Sequence, residues 1–209
     1  MADAQRVVLL ASNNAKKLAE LRRVVEAAGI TGLTVLGLGD VAAYPEPVES
    51  GATFEENALI KARAAVAATG LPSLADDSGL AVDALNGMPG VLSARWSGGK
   101  GDEANNDLLL AQLTDVPEER RGAGFVSVCA LVTPEGEQAV AHGEWRGRIL
   151  AERRGANGFG YDPLFLPDDE VAAGRTSAEL SAQEKDALSH RGKALAMLVP
   201  ALHALAEQD

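Results

Sequence analysis

A single cysteine among 209 residues rules out an internal disulfide. Cys129 lies in the apolar run Phe125 to Val132, where a small buried hydrophobe is the natural reading, and a reducing cytoplasm suits the chain. No apolar stretch approaches the ~20 residues that span a bilayer. The start, Met1-Ala2-Asp3, lacks the basic and apolar regions of a signal peptide, so no membrane partner is expected. Basic residues are also few: 19 Lys and Arg stand against 30 Asp and Glu, a net charge of −11. That balance, with no basic stripe, opposes binding to nucleic acid. A polyanionic substrate must therefore meet a local cationic cluster. Familiar motifs are missing too: there is no G-x-x-x-x-G-K-[ST] loop, no G-x-G-x-x-G after a strand, no G-x-S-x-G elbow and no Cys/His zinc spacing.

What is present reads as one α/β domain over residues 1–209, long enough to bury a core without staples. Arg6 to Ala11 is a valine- and leucine-rich strand, followed by Ser12-Asn13-Asn14 and a helix with Leu18, Leu21 and Val25 at helical spacing, closed by Gly29. Thr34 to Leu38 is a second strand. Thr53-Phe54-Glu55-Glu56 has capping-box spacing and opens an alanine-rich helix that ends at Gly70. Ser73 to Ala75 is a short strand that presents Asp76-Asp77-Ser78-Gly79 at its end, before Leu80 to Leu85 resumes a strand pattern. A helix near Asp102 to Leu113 precedes an antiparallel pair, Phe125 to Val132 and Gln138 to Leu150, turning at Pro134-Glu135-Gly136. Two helices finish the chain, one from Ser181 and one through Leu195, Leu198 and Leu202. Early alternation followed by long antiparallel strands implies a mixed sheet flanked by helices.

Several groups could carry chemistry. Ser12, Asn13 and Asn14 stand before a helix whose N–H groups and dipole favour an anion, with Lys16 and Lys17 adding charge; an ordinary cap with solvated lysines is the alternative. Adjacent Asp76 and Asp77 call for a cation, and hard oxygen ligands suit Mg²⁺; a capping turn is the alternative. A glutamate between Glu46 and Glu56 could complete such a site. Lys61, Lys185, His190 and Arg191 are further concentrated cations. Gly158-Phe159-Gly160-Tyr161-Asp162 reads as a loop exposing two aromatics and a carboxylate, a platform for a flat base, or else a loop anchored by Phe159. His142 and His203 read as structural.

Taken together, Ser12-Asn13-Asn14-Ala15-Lys16-Lys17, Thr53 to Lys61, Ala75-Asp76-Asp77-Ser78-Gly79-Leu80, Gly158 to Pro163 and Ser189-His190-Arg191-Gly192 resemble the inosine triphosphate pyrophosphatase family, the Ham1-like enzymes of non-standard purine nucleotides. The resemblance implies an elongated mixed sheet with two lobes and a central cleft, and usually a homodimer. It implies Mg²⁺-dependent hydrolysis of dITP, ITP, XTP and dXTP to monophosphate and pyrophosphate. By position, Ser12, Asn13, Asn14, Ala15, Lys16 and Lys17 would hold the triphosphate. Asp77 would bind Mg²⁺ and accept the proton of the attacking water, and Ser78 would touch substrate. Phe159, Gly160, Tyr161, Asp162, Lys185, His190 and Arg191 would form the base pocket. Two positions depart from the pattern: Val48 stands where some relatives have an acid, leaving Glu49, Glu46 or neither as the second metal carboxylate, and Lys16 stands where others often carry glycine. The competing readings are a nucleotide-binding regulator without turnover and a hydrolase that releases the γ-phosphate.

Overall fold

The computed structural model describes residues 6–207; the Met1-Ala2-Asp3 start lies outside them. Six strands, β1 (Arg6–Leu10), β2 (Leu33–Leu36), β3 (Ser73–Val82), β4 (Gly122–Val132), β5 (Gln138–Ile149) and β6 (Phe165–Pro167), form a mixed sheet in the order β2-β1-β3-β4-β5-β6. Five helices flank it: α1 (Ala15–Ala27), α2 (Phe54–Thr69), α3 (Asp102–Gln112), α4 (Ala182–Leu188) and α5 (His190–Glu207). β1 runs parallel to β2, with Arg6 opposite Leu33, and parallel to β3, with Leu9 opposite Ser73. β4 and β5 are neighbours joined by residues 133–137, too few for a parallel crossover, so the pair is antiparallel. β6 lies antiparallel to β5. The expected mixed α/β class is the one observed. Among the described residues no helix is long and apolar enough to cross a membrane.

Local chemistry sets the helix ends. Asn14 caps α1 by accepting from the Lys16 and Lys17 N–H groups at 2.9 and 3.4 Å. At α2, Thr53 Oγ1 accepts from Glu56 N–H at 3.1 Å, and Glu56 Oε2 accepts from Thr53 N–H at 3.3 Å. The helix stops at Gly70, whose φ of 68° is left-handed and comfortable only without a side chain. The expected second strand is shorter than read: it stops at Leu36, and a 3₁₀ turn takes Leu38–Asp40.

The chain divides into two compact units. The first runs to Asp77 and includes Val128–His142 and the chain from Gly192 onward. On one face of its strands, Val8, Leu10, Leu74, Cys129 and Leu131 pack with Leu21 and Val25 of α1 and Leu195, Leu198 and Leu202 of α5. Each fully buried leucine contributes about 1.5–3 kcal/mol. On the other face, Ala75 and Val132 meet Ala62 of α2, while Val128 and Ala130 meet Ala58. Alanines at those contacts let α2 lie close to the strands. Successive residues of β3 thus serve different helices, as strand geometry requires.

The second unit comprises Ser78–Ser127 and Gly143–Arg191. Its core joins Leu80, Val82, Ala123, Trp145, Ile149 and Phe165 with Leu109 of α3 and Leu113 at the C-cap of that helix. Trp145 meets the Phe165 ring edge-on at 5.5 Å, and its indole N–H donates to Asp169 Oδ2 at 2.7 Å.

One expectation is corrected along β3. Asp76-Asp77-Ser78-Gly79 does not break a short strand; it continues one strand from Ser73 to Val82. Asp and Gly disfavour strands in isolation, but here tertiary partners decide. Leu80 N–H donates to Ser93 Oγ at 2.9 Å, and Gly79 gives Ser93 its place, since a Cβ there would lie 2.4 Å from Ser93 Oγ.

Candidate active site

In the first unit, β3 and α2 assemble a carboxylate–ammonium group. Lys61 Nζ lies 3.0 Å from Asp77 Oδ1 and 2.8 Å from Glu49 Oε1. Lys61 is two turns into α2, between Ala58 and Ala62, which bring the helix close. From the first turn of that helix, the fully buried Asn57 donates through Nδ2 to Asp77 Oδ2 at 3.3 Å and accepts from Gly51 N–H through Oδ1 at 2.8 Å. One amide therefore joins the loop carrying Glu49 to the carboxylate of Asp77. Burial pushes the Asp77 carboxyl above its usual range, and the Glu49 carboxylate adds to the rise while Lys61 opposes it. Burial alone would depress the Lys61 ammonium, but Asp77 and Glu49 outweigh it and hold the group above an ordinary lysine.

Asp76 does not share this role. It is buried, and both its oxygens lie 2.9 Å from Lys17 Nζ. Lys17 is thus no solvated first-turn cation: its side chain is 19% exposed and neutralises a buried acid. The expectation of free N–H groups at the start of α1 is also corrected, since Asn14 takes those of Lys16 and Lys17. Ser12 Oγ accepts from Asn14 N–H at 3.2 Å, whereas Asn13, Ala15 and Lys16 are exposed. Asn13, Tyr44, Glu46 and Lys61 line a cavity of about 140 Å³.

In the second unit, Ser78, Phe159, Gly160, Tyr161, Asp162, Lys185, His190 and Arg191 line one cavity of about 150 Å³. The seven residues expected to form a base pocket surround one space together with Ser78, expected to touch substrate. Phe159 is 54% exposed, with Lys185 Nζ 4.9 Å from its ring centroid. Arg191 Nη2 donates to Ser78 Oγ at 3.1 Å, and His190 stacks on Phe125 with centroids 5.2 Å apart.

The loop differs from its expected form. Of its two aromatics and carboxylate only Phe159 is exposed; Tyr161 and Asp162 are buried at 3% and 2%. Tyr161 donates to the Ser93 carbonyl at 2.9 Å, and burial drives its phenol well above the ordinary value. Asp162 Oδ2 accepts from Phe159 N–H at 2.9 Å and from Lys185 Nζ, while Oδ1 accepts from Ser177 Oγ at 2.8 Å. Asp162 therefore shapes the loop from inside and offers no free edge to a ring. Sequence reasoning missed Asn57, Ser93, Phe125 and Ser177.

Among the described residues no group of three or more Asp, Glu, His or Cys stands ready to hold a metal. Two carboxylates, Asp77 and Glu49, share one ammonium. Such a pair fits Mg²⁺, which takes one or two carboxylates and fills its remaining positions with water and phosphate oxygens. Asp76, turned to Lys17, is not part of that donor set.

The model of the Ham1 family matches residues 8–201. A dITP/XTP pyrophosphatase of Corynebacterium efficiens is 65% identical over 205 residues, covering 96% of this chain and 99% of its own. A crystal structure of a nucleoside-triphosphatase / dITP/XTP pyrophosphatase from Mycobacterium abscessus is 62% identical, with a TM-score of 0.79 and coverage of 94% of this chain and 99% of its own. A HAM1 protein from Coxiella burnetii is 41% identical, with a TM-score of 0.86 over 95% of this chain and 99% of its own.

Proposed function

The chain belongs to the Ham1 family, and on that footing we propose that it hydrolyses non-standard purine nucleoside triphosphates, dITP, ITP, XTP and dXTP, to monophosphate and pyrophosphate. The observation that carries the reading is the Asp77–Lys61–Glu49 group, a largely buried carboxylate that shares one ammonium with a second acid. A carboxyl raised above its usual value is a stronger base, better suited to taking a proton from water than an ordinary aspartate.

Asp77 accepts that proton through whichever lone pair Lys61 and Asn57 leave open, since each carboxylate oxygen has two. Asp77 and Glu49 would hold Mg²⁺, which when bound neutralises phosphate charge and stabilises the departing pyrophosphate. Lys61 draws both acids to one ammonium and opposes the rise of the Asp77 carboxyl. Asn57 fixes the plane of the Asp77 carboxylate. Ser12, Asn13, Asn14, Ala15, Lys16 and Lys17 take the triphosphate, where the exposed Lys16 answers the negative charge of the chain as a whole.

The base falls to the second unit. Phe159 supplies a stacking face, which adds affinity for any base. Selection comes from donors to the oxygen at C6, and Arg191, His190 and Lys185 are the side chains at hand. An amine at C6, as in adenine, would face donors, and unpaired buried groups cost roughly 1–3 kcal/mol each. Ser78 holds the Arg191 guanidinium through its Oγ. The same reading carries a cytoplasmic homodimer that binds neither nucleic acid nor membrane, and the mass in solution tests the dimer.

The decisive assay incubates pure protein with dITP and Mg²⁺ and identifies the first phosphorus product. Pyrophosphate is expected. Orthophosphate as the first product would move the cleavage to the γ-phosphate, and nucleotide binding without turnover would make the chain a regulator.

A further inference from the structure

The Phe159 loop should be a poor platform on its own. Gly158 and Gly160 both sit at positive φ, 80° and 61°, and glycines have more conformational freedom to lose than any other residue. Asp162 restrains one end through Phe159 N–H. The next peptide group is restrained from elsewhere. Asp102 Oδ2 accepts from Gly160 N–H at 2.6 Å, and Asn106 Nδ2 donates to the Gly160 carbonyl at 2.8 Å. Asp102 and Asn106 are one turn apart on α3, so a single helix face takes both polar ends of one residue.

The surroundings tie that face down. Asn105, between them, donates to the carbonyls of Ser93 and Ala94 at 3.4 and 3.3 Å and accepts from Ser97 N–H at 2.7 Å. Ser93 O is also the acceptor of the Tyr161 hydroxyl. Asparagine is a mediocre helix former, and two in succession inside α3, both buried, are explained by these bonds and not by propensity. A charge at a helix start would account for Asp102 alone, through the dipole, but not for the paired contact of Asn106 with the same residue.

We infer that Asp102 and Asn106 are positioning residues for base recognition: they clamp the Gly160 peptide so that the Phe159 ring is presented in one orientation. The inference rests on the base-pocket reading above. The clamp also removes two donors from the pocket, because Phe159 N–H is spent on Asp162 and Gly160 N–H on Asp102. Those two amides are therefore not offered to an oxygen at C6, and that task passes to side chains.

The test separates the two ends of the substrate. Dissociation constants for inosine monophosphate and for pyrophosphate are measured by calorimetry on wild type, Asp102→Ala and Asp102→Asn, with kcat and KM for dITP alongside. Losing one charge-assisted bond that holds the platform should weaken monophosphate binding about tenfold in Asp102→Ala and leave pyrophosphate binding within about twofold. The change falls on KM more than on kcat. Asp102→Asn recovers most of the affinity, because its amide oxygen can accept the same N–H. Asn106→Ala gives a second reading of the clamp from its other end, with the same selectivity for the monophosphate. Equal losses for both ligands, or monophosphate affinity within twofold of wild type in Asp102→Ala, overturn the clamp. A wild-type protein that binds neither ligand overturns the proposed function instead.

Discussion

Replacing Lys61 with methionine tests the centre of the site most directly. The side chain keeps its length and flexibility but loses the ammonium that lies 2.8 Å from Glu49 and 3.0 Å from Asp77. Asp77 and Lys61 are each 13% exposed, so little water replaces the lost cation, whereas Glu49 at 30% is partly solvated. Removing one partner of a buried pair costs about 3–5 kcal/mol, and the solvation of Glu49 reduces this to about 2–4 kcal/mol. For a chain of this size the melting temperature should fall by roughly 5–15 °C. The loss must depend on pH. Without Lys61 the Asp77 carboxyl, already raised by burial, rises further, so the folded state holds a proton that the unfolded chain releases. The deficit therefore opens as pH climbs through the carboxylate range towards neutrality and closes at low pH, where Asp77 is protonated in both states. Melting curves of both proteins from about pH 4 to about pH 8 measure it, first with chelator and then with Mg²⁺. Mg²⁺ at a hundredfold excess over its dissociation constant should return about 2.7 kcal/mol. A gap of equal width at both ends of the pH range, or no gap, would refute the reasoning.

Asp77→Asn keeps shape but loses charge and basicity, and turnover should fall at least ~100-fold; turnover near wild type rules Asp77 out as the base. Lys17→Ala, which a surface reading would make harmless to the fold, should cost about 2–4 kcal/mol because it strips the cation from buried Asp76, and an unchanged melting temperature contradicts this. Gly79→Ala should destabilise by about 1–3 kcal/mol, since the new methyl would lie 2.4 Å from Ser93 Oγ and 2.5 Å from the Gly90 carbonyl oxygen; a variant as stable as wild type shows that the strand yields freely. The Glu184 carboxyl is drawn down to about 2 by Arg175 and by the Ser181 cap, so its contribution is complete above the usual carboxylate pKa. That contribution vanishes as pH falls to about 2, and the stability difference between wild type and Glu184→Gln should close over that window; a constant difference across it speaks against the pairing.

Much of the fold was legible because its signals are local. The Thr53 and Glu56 box, the glycine after Thr69 and the cap at Asn14 each act within a few residues, and helical spacing marked the buried face of α1. The acidic stretch of β3 was misread because its strand character comes from Lys17, Lys61 and Ser93, none of them nearby in sequence. The blocks around Asp77, Phe159 and Arg191 stood out as chemistry. Their supports did not, since Asn57, Asp102 and Asn106 act on partners 20, 58 and 54 positions away. A trace existed: polar amides inside otherwise good helices are poor choices for the helix itself, and asking why they are there points to what they hold. Tyr161 was misplaced for the opposite reason. An aromatic between a glycine and an aspartate looks exposed until Ser93 is found at its hydroxyl.

The alternation along β3 ties the chemistry to parity. Leu74 and Asp76 look towards α1 and α5, while Ala75 and Asp77 look towards α2. Neighbours in sequence, the two acids are screened from each other by the backbone and answer to different lysines. A one-residue insertion or deletion between Ser73 and Asp76 would exchange them, turning the raised carboxyl away from α2 and presenting its neighbour to a lysine it was not packed against. Such a change would remove neither acid and neither lysine, yet it would silence the site. Length errors in this short stretch should therefore be far less tolerated than substitutions of its apolar residues, whereas a two-residue change, which restores parity, would return a carboxylate to each face.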